Sequence, residues 1–310
     1  MLSRCMARTV SIVGAGRVGI SLGKHLRELG WRIGAVVTRS KSTARAAVRA
    51  IGGGTPYANP GRPVETWGSS PAKSGNLTRA LALGSGVILI TTPDDILPAV
   101  AQSLARSMGR ASLRGKVVLH TSATLDRSAL APLARLGTST GSLHPMQAFG
   151  GKVVPKLKGV IFGIEGDAKA QRMAQSLAKS LGGIPVVIET ADKPAYHAAA
   201  VMAGGSIYPV LEAGLELLMS IGFTRQRASQ TLLPLLRQIL DNIERIGPRA
   251  AWTGPLSRGD YAVVAKHMNA LRRYPPEFRK SYAALAQLAG RVLSKTPAAT
   301  LAQIERALKV

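Results

Sequence analysis

Short apolar runs alternate with helical stretches through the first half of the chain. Runs rich in β-branched and aliphatic residues predict strands at 9–13, 31–37, 86–91, 116–120, 141–144, 160–164 and 185–188. Helices are predicted between several of them, for example at 42–50 and from Asp167 to about Leu181. Residues 86–91 are apolar almost throughout, which is typical of a parallel strand that is buried on both faces. This alternation predicts an α/β fold with a doubly wound parallel sheet.

The strand signals stop after Ile188, and helical periodicity replaces them. Helices are predicted at 193–222, 224–246, 258–271, 277–293 and 298–309. We therefore expect two domains, an α/β domain at 1–189 and an all-α domain at 190–310. Residues 52–76 are rich in Gly, Pro and Ser, and they predict a long loop.

The composition narrows the class of protein. Hydrophobic residues make up 46% of the 310 residues, which is enough for a buried core. The single cysteine, Cys5, excludes a disulfide framework and fits a reducing compartment. The longest apolar stretch, at 198–211, is shorter than the ~20 residues that a membrane-spanning helix needs. The N-terminus has no signal-peptide pattern, so we expect a cytoplasmic protein without a membrane segment.

Lys and Arg outnumber Asp and Glu by 41 to 16, a formal net charge of +25. Such a surface attracts anions, including nucleotides and nucleic acids. The cations are dispersed, however, and aromatic residues for base stacking make up only 4% of the chain. We expect a small-molecule substrate, plausibly an anionic one, and no specific nucleic-acid partner.

A glycine motif follows the first predicted strand and begins the first predicted helix. Gly14, Gly16 and Gly19 form G-x-G-x-x-G, with Arg17 and Val18 inside it. Gly14 permits a tight turn, Gly16 lets the backbone approach a pyrophosphate, and Gly19 lets the helix pack closely on the strand. This arrangement predicts a dinucleotide-binding domain of the Rossmann type.

The end of the second strand predicts which dinucleotide binds. NAD-binding domains carry an acidic residue about 20 residues after the motif, which holds the ribose 2′-hydroxyl. Here the residues are Thr38, Arg39 and Ser40, and none is acidic. The Arg39 guanidinium and the Ser40 hydroxyl suit a 2′-phosphate, so NADP(H) is the predicted cofactor.

The turn after the strand at 86–91 is a further cofactor candidate. Thr92 and Pro93 follow the carboxyl end of that strand, where ligands bind in this fold. Asp94 or Asp95 either belongs to the same site or caps the next helix.

Four polar residues are candidates for the chemistry. Lys193 and His197 are four residues apart on a predicted helix and therefore project from one face. Lys193 is the candidate proton donor, because burial and neighbouring cations lower a lysine pKa. His197, His144 and Ser122 are candidates for orienting a substrate. Each histidine could instead be a structural hydrogen-bonding group, and no metal site is predicted.

Several motifs resemble the bacterial proteins that combine a Rossmann-like domain with a DUF2520 domain. These are oxidoreductases similar to pyrroline-5-carboxylate reductase, to F420-dependent NADP oxidoreductase and to the 6-phosphogluconate dehydrogenase superfamily. The resemblance is carried by VGAGRVG at 13–19, ITTPDD at 90–95, LHTSATL at 119–125, GSLHPMQAF at 141–149, ADKPAYHAAAVMA at 191–203 and WTGPLSRGD at 252–260. It implies an N-terminal Rossmann domain, an all-α C-terminal domain and a homodimer. In related β-hydroxyacid dehydrogenases the catalytic helix carries Lys-x-x-x-Asn. Lys193 matches that lysine, and His197 stands where the asparagine would be.

These observations predict an enzyme, an NADP(H)-dependent oxidoreductase that transfers hydride to or from a C=O or C=N group, with Lys193 as proton donor. The alternative is a non-catalytic NADP(H)-binding sensor or interaction protein, because a Rossmann cleft can bind a cofactor without a reaction.

Overall fold

The computed structural model describes residues 8–58, 81, 86–151 and 153–309. Contacts divide the chain into two compact units, Met1–Gly205 and Ser206–Val310. The loop predicted at 52–76 lies outside the described residues from residue 59 onward.

The first unit is built on an eight-stranded sheet with strand order β3-β2-β1-β4-β5-β6-β7-β8. The strands are β1 Thr9–Val13, β2 Arg32–Thr38, β3 Thr55–Ala58, β4 Val87–Ile90, β5 Val117–His120, β6 Ser139–Pro145, β7 Ile161–Gly166 and β8 Ile184–Val187. The order of the first six strands is that of a doubly wound Rossmann sheet. The predicted fold class is therefore confirmed, and all seven predicted strands form.

Strand β3 was not expected, because it lies inside the predicted loop at 52–76. It pairs in parallel with β2 and forms one edge of the sheet. Pro56 lies within it, and proline is tolerated on an edge strand because the missing N–H can face away from the neighbouring strand. Proline and glycine are uncommon in strands, so the sequence pattern did not predict this one.

One pair of strands departs from the predicted parallel arrangement, since β6 and β7 are antiparallel. A parallel pair needs a long crossover, usually a helix. The described residues of the connection 146–160 form no helix, so β7 returns directly beside β6. This register places Ser142 opposite Glu165 and His144 opposite Gly163.

Helices cover both faces of the sheet. In the first unit they are α1 Arg17–Glu28, α2 Lys41–Ile51, α3 Leu97–Leu113, α4 Ala131–Ala134, α5 Ala168–Ser180 and α6 Lys193–Ala200. One apolar cluster joins Ile12, Leu89 and Leu119 to helices α1, α2 and α5. A second joins Val13, Ile90 and other strand residues to helices α3 and α4. Successive residues of each strand thus point to opposite faces of the sheet and contribute to two separate cores.

The second unit is helical, as predicted. Its helices are α7 Ile207–Met219, α8 Arg225–Ala251, α9 Tyr261–Ala270, α10 Pro276–Val292 and α11 Pro297–Leu308. Gly247 has φ of 79° and breaks α8 close to the predicted end at 246.

The single helix predicted at 193–222 is wrong in detail. The chain passes from α6 through a π-helical turn, Val201–Gly205, into α7. Glycine is a weak helix former, and Pro209 cannot donate to the carbonyl four residues earlier. These residues explain why regular α-helix is interrupted here.

The contact-based division after Gly205 assigns α6 to the sheet unit. The predicted domain boundary after Glu189 instead follows the end of the sheet at Val187. The two criteria differ, and the domain boundary stays a prediction.

One stretch in the described chain, Thr190–Met219, is long and apolar enough to cross a membrane by length and composition alone. Only 6% of the most apolar 18 residues of this stretch is buried inside the protein. The stretch includes Lys193, Glu212 and Glu216, and it contains the π-helical turn. The expectation that the chain has no membrane segment stays a prediction.

Candidate active site

The glycine motif forms a tight turn between β1 and α1. Gly14 has φ of +90°, and its N–H donates to the Val37 carbonyl at 2.8 Å. A Cβ atom at Gly14 would lie 2.5 Å from Cγ2 of Thr92. The Thr91 hydroxyl donates to the Gly14 carbonyl at 2.6 Å. Gly14 is therefore required both by its backbone conformation and by the close approach of the loop after β4.

The other two glycines have different surroundings. A Cβ atom at Gly16 would meet no heavy atom within 4 Å, whereas one at Gly19 would collide with Thr91 Oγ1. Gly16 is the N-cap of α1, and no side chain caps that helix. The first turn of α1, with exposed Arg17 and half-buried Val18, thus presents uncapped N–H groups beside open space. Such a helix end favours an anion.

Thr92 and Pro93 lie beside this turn. The Thr92 hydroxyl oxygen is buried and has no hydrogen-bond partner among the described residues. A buried hydroxyl without a partner is costly, and a bound ligand commonly satisfies such a group. Pro93 is exposed. The open space at Gly16, the uncapped helix and the Thr92 hydroxyl fit the pyrophosphate end of a dinucleotide.

Hydroxyl groups cluster where β2 meets α2. Ser40 is the N-cap of α2, and its Oγ accepts from the Thr43 N–H at 3.2 Å. The Thr38 hydroxyl donates to the Ser40 carbonyl at 2.8 Å. Arg39 is exposed between them, and no acidic residue lies in the first turn of α2. These residues form a positive, donor-rich end of β2 that fits a phosphate better than a ribose hydroxyl.

Lys193 is buried against the sheet. It is only 3% exposed, and its Nζ donates to Oγ of Ser142 at 2.9 Å. Ser142 is opposite His120 on β5 and opposite Glu165 on β7, so these three side chains share one face of the sheet. The lysine therefore lies over a polar patch on three adjacent strands.

Burial lowers the pKa of Lys193, and the negative charges of Glu165, Asp126 and Asp94 partly oppose this effect. Burial also raises the pKa of Glu165, whose carboxylate accepts from the Arg127 N–H at 2.9 Å. Desolvation disfavours both charges, while their opposite signs favour them. The lysine can thus release its proton more easily than an exposed lysine can.

His120 is a neutral structural histidine. Its Nδ1 accepts from the Ser122 N–H at 3.2 Å, so Nε2 carries the hydrogen and donates to the Asp126 carbonyl at 3.1 Å. Burial, followed by the charge of Lys193, lowers the pKa of His120 to about 4. The imidazole fixes the turn that follows β5.

His144, Tyr196 and His197 form a partly exposed cluster next to Lys193. Nδ1 of His144 lies 3.3 Å from the Tyr196 hydroxyl, and the His144 and His197 ring centroids are 6.3 Å apart. Burial, followed by the charges of His197 and Lys193, lowers the pKa of His144 to about 4. Tyr196 lies against Gly163, where a Cβ atom would be 2.8 Å from the ring. Burial raises the pKa of Tyr196.

Ser122 links the turn after β5 to the loop after β4. Its hydroxyl donates to Oδ2 of Asp94 at 2.6 Å, and the Thr124 hydroxyl donates to the same oxygen at 2.9 Å. Asp94 does not cap α3, because no side chain caps that helix. Asp94 is therefore held by these two hydroxyls.

Several of the predicted residues lie close together where the parallel strands end. The loop 91–95 contacts the glycine turn through Thr91 and Thr92, and it binds Ser122 through Asp94. The negative charge of Asp94 acts to raise the pKa of both Lys193 and His144, against the larger effect of burial. The His197 ring lies edge-on to that of His144.

Sequence reasoning missed Ser142, Glu165 and Tyr196. Ser142 is two residues before His144 on the same strand face, and Tyr196 is three residues after Lys193 on the same helix face. The spacing of Ser142 from His144 and of Tyr196 from Lys193 could have identified both residues. Glu165 had no such signal, because the antiparallel β6–β7 pairing was not expected. Among the described residues, no group of three or more His, Cys, Asp or Glu side chains could hold a metal ion.

The fold is similar to that of a provisionally assigned NADP oxidoreductase from Bacteroides fragilis, with 19% identity, a TM-score of 0.69, and 90% of this chain and 96% of that chain covered. An imine reductase from a Pseudomonas species is similar at 19% identity and a TM-score of 0.60, covering 97% of this chain and 99% of that one. A reductive aminase from Aspergillus terreus, solved with NADPH and ethyl-5-oxohexanoate, matches at 14% identity and a TM-score of 0.57, covering 98% and 94%.

At these identities the likeness is one of fold, and it agrees with the predicted Rossmann-type domain followed by helices. None of the curated proteins matches the chain. The family model described as "Domain of unknown function (DUF2520)" matches residues 160–289. The resemblance to DUF2520 proteins is thereby confirmed over that segment.

Proposed function

We propose that this protein is an NADP(H)-dependent oxidoreductase that transfers hydride to or from a C=O or C=N group of a small molecule. The net charge of +25 favours an anionic one. The observation that carries the proposal is the loop 91–95. It contacts the glycine turn at one end, and at the other end its Asp94 accepts a hydrogen bond from Ser122 in the turn after β5. A nicotinamide bound along this loop would lie close to ionisable side chains.

NADP(H) rather than NAD(H) is supported by the end of β2. Arg39 and the hydroxyls of Thr38 and Ser40 gather at the start of α2, where a 2′-phosphate would also meet the helix N-terminus. An acidic residue, which would repel that phosphate, is missing from this first turn. The similarity in fold to a reductive aminase solved with NADPH supports the same choice.

Lys193 is the proposed proton donor. When bound, NADPH supplies hydride to the substrate carbon, and the oxygen or nitrogen of the former double bond then needs a proton. The Lys193 ammonium transfers one from Nζ and becomes a neutral amine, which its lowered pKa favours. His197 and His144 orient the substrate, and Ser122 acts through Asp94, which its hydroxyl holds in place. Because Nδ1 of neutral His144 faces Tyr196, Nε2 is the nitrogen left for the substrate.

The alternative of a non-catalytic NADP(H) sensor is favoured by one observation. Lys193 is 3% exposed and already donates to Ser142, so a substrate reaches its ammonium only when packed directly against that face. Without such a substrate, the same residues would serve only to hold the fold.

A turnover assay separates the two functions. NADPH oxidation is followed at 340 nm across a panel of carbonyl compounds and preformed or amine-derived imines, alongside direct NADPH titration. The oxidoreductase proposal expects oxidation that depends on at least one class of substrate. Tight NADPH binding with no oxidation across the panel would instead establish the sensor.

We also propose a homodimer in the cytoplasm, without a specific nucleic-acid partner. The second unit exposes apolar side chains on α7 and α8, among them Val210, Leu235, Ile239 and Leu240. A second copy of the chain would remove such surface from water. Light scattering on the purified protein tests the dimer, and filter binding of DNA and RNA at moderate salt tests the nucleic-acid expectation.

A further inference from the structure

The helical unit contains a cavity that the proposed oxidoreductase chemistry does not use. It has a volume of about 420 Å³ and lies among the end of α9, the 3₁₀ turn Leu271–Arg273, the first turns of α10 and the end of α11. Pockets that hold small molecules have volumes of about 300–1,000 Å³. The cavity is formed entirely by residues of the second unit.

The inner wall of the cavity is apolar. Met268 and Leu271, both buried, line it together with Ala283 and Leu308. Such a wall accepts the hydrocarbon or aromatic part of a ligand and excludes water from it.

An aromatic side chain forms another wall and is held in place. Tyr274 stacks on Phe278, with ring centroids 5.6 Å apart and an interplanar angle of 26°. Its hydroxyl lies 2.5 Å from Oγ of Ser220, and the Arg273 guanidinium lies 5.3 Å above its ring. These contacts leave little rotational freedom to lose when a ligand binds.

The rim of the cavity is positive. Arg272, Arg279 and Lys280 line it, and no Asp or Glu is among its described lining residues. Arg272 and Lys280 form no ion pair with any acidic group in the described part of the chain. Two exposed cations that converge on one apolar cavity without a protein counter-ion complement an anionic group.

We propose that this cavity binds a small organic anion, in which an aromatic or aliphatic body lies against Tyr274 and Leu271 and a phosphate or carboxylate group contacts Arg272, Arg279 and Lys280. The ligand class follows from the joined apolar wall and positive rim, since inorganic phosphate would use only the rim. The site is independent of the glycine turn and of Lys193.

Isothermal titration of the full chain with phenyl phosphate tests the proposal, with benzoate as the carboxylate probe. Inorganic phosphate and phenol supply the charge alone and the ring alone. The double variant Arg272→Ala/Lys280→Ala removes the two exposed cations of the rim and leaves Arg279 in place. Arg291→Ala/Lys295→Ala is the matched control, because it removes two exposed cations from the same unit outside the cavity. Circular dichroism and thermal melting check that both variants fold.

We expect phenyl phosphate or benzoate to bind more tightly than phosphate or phenol, and the stronger of the two identifies the preferred head group. The rim variant should weaken that binding by about tenfold or more, and the control by less than about twofold. Equal weakening by both variants would show attraction to diffuse charge and overturn the site. Undiminished binding in the rim variant would place the anion elsewhere, for example at the glycine turn, and would also overturn it. Absence of binding by both probes has the same consequence.

Discussion

The glycine turn and the Lys193 cluster lie at the same end of the parallel strands, yet they are built in opposite ways. The Lys193 cluster consists of Lys193, Ser142, His120 and Glu165, which are all buried. The turn offers backbone N–H groups to open space, and a side chain at Gly16 would touch nothing. In the cluster, polar side chains are buried against one another, with Lys193 only 3% exposed. The first region is prepared for an anion from solvent, whereas the second keeps its ionisable groups away from water.

The anion affinity of the turn and the altered pKa values of the cluster have different origins. Anion affinity at the turn comes from backbone geometry, which a glycine pattern specifies locally. The altered pKa values of the cluster come from desolvation by residues that are distant in sequence. Local sequence therefore specifies the binding end of the site, while tertiary packing specifies the reactive end.

The largest expected effect comes from Lys193. If its ammonium is the proton donor, Lys193→Met should lower kcat by about 10²–10⁴-fold while NADPH still binds. Lys179→Met, which removes an exposed lysine from the same unit, is the control and should leave kcat unchanged. Steady-state kinetics with the best substrate of the panel provides the measurement. Equal turnover in wild type and Lys193→Met would remove Lys193 from the mechanism.

His120 should make the first unit sensitive to acid. Its folded pKa of about 4 lies below its ordinary value of 6.5, so between these values the unfolded chain binds more protons. The stability from the neutral imidazole is full above about pH 6.5 and is lost as the pH falls toward 4. Its size is about 3 kcal/mol.

Urea unfolding at pH 7, 5.5 and 4.5 measures the summed loss from His120 and His144, because the pKa of His144 is also lowered to about 4. NMR titration of the assigned histidine ring protons measures each pKa separately. His197→Gln removes a partly exposed histidine of the same unit and serves as the control, which should retain the acid sensitivity. A His120 resonance that titrates between pH 6 and 7 would contradict the buried, neutral assignment.

Two glycines of one turn should respond differently to the same substitution. Gly14→Ala forces a Cβ atom toward Thr92 at a positive φ, so it should destabilise the protein by about 1–3 kcal/mol. Gly16→Ala meets no atom, so the melting temperature should be unchanged while NADPH binds more weakly. Thermal melting with and without NADPH separates the two effects. Equal melting temperatures for the two variants would show that the turn is not as tight as described.

The smallest expected effect is a change in pH dependence. Glu165 is the first of the charges that raise the Lys193 pKa, so Glu165→Gln should lower that pKa further. The alkaline limb of the reductive pH–rate profile should then move to lower pH, because the donor must be protonated. Glu189→Gln, at an exposed position of the same unit, should leave the limb in place. An alkaline limb unmoved by Glu165→Gln would argue that Lys193 and Glu165 are not coupled.

Much of this fold follows from the sequence, because β-branched runs and glycine turns act locally. The strands at 9–13 and 184–187, the glycine turn and the helical second half all form near their predicted positions. The edge strand Thr55–Ala58 and the antiparallel β7 do not follow from local pattern. The first contains a proline, and the second depends on a connection that lacks a helix.

The candidate site was predictable to a smaller extent. Lys193, His144 and Ser122 could be singled out by their positions in the predicted helix and strands. The Lys193–Ser142 hydrogen bond required the strand register, and the role of Glu165 beside it required the antiparallel pairing. The pKa values follow from these neighbours, so they became accessible only with the structure.

The central claim is that the edge of the sheet binds NADP(H) through the glycine turn and Arg39. Parallel thermal-shift and fluorescence titrations with NADPH, NADH and FAD test it most directly, on wild type, on Arg39→Asp and on Arg45→Asp, which reverses another exposed arginine nearby on α2. We expect stabilisation that is selective for NADPH, lost in Arg39→Asp and retained in Arg45→Asp. Tighter binding of NADH would contradict the cofactor assignment, and no response to any dinucleotide would contradict the oxidoreductase itself.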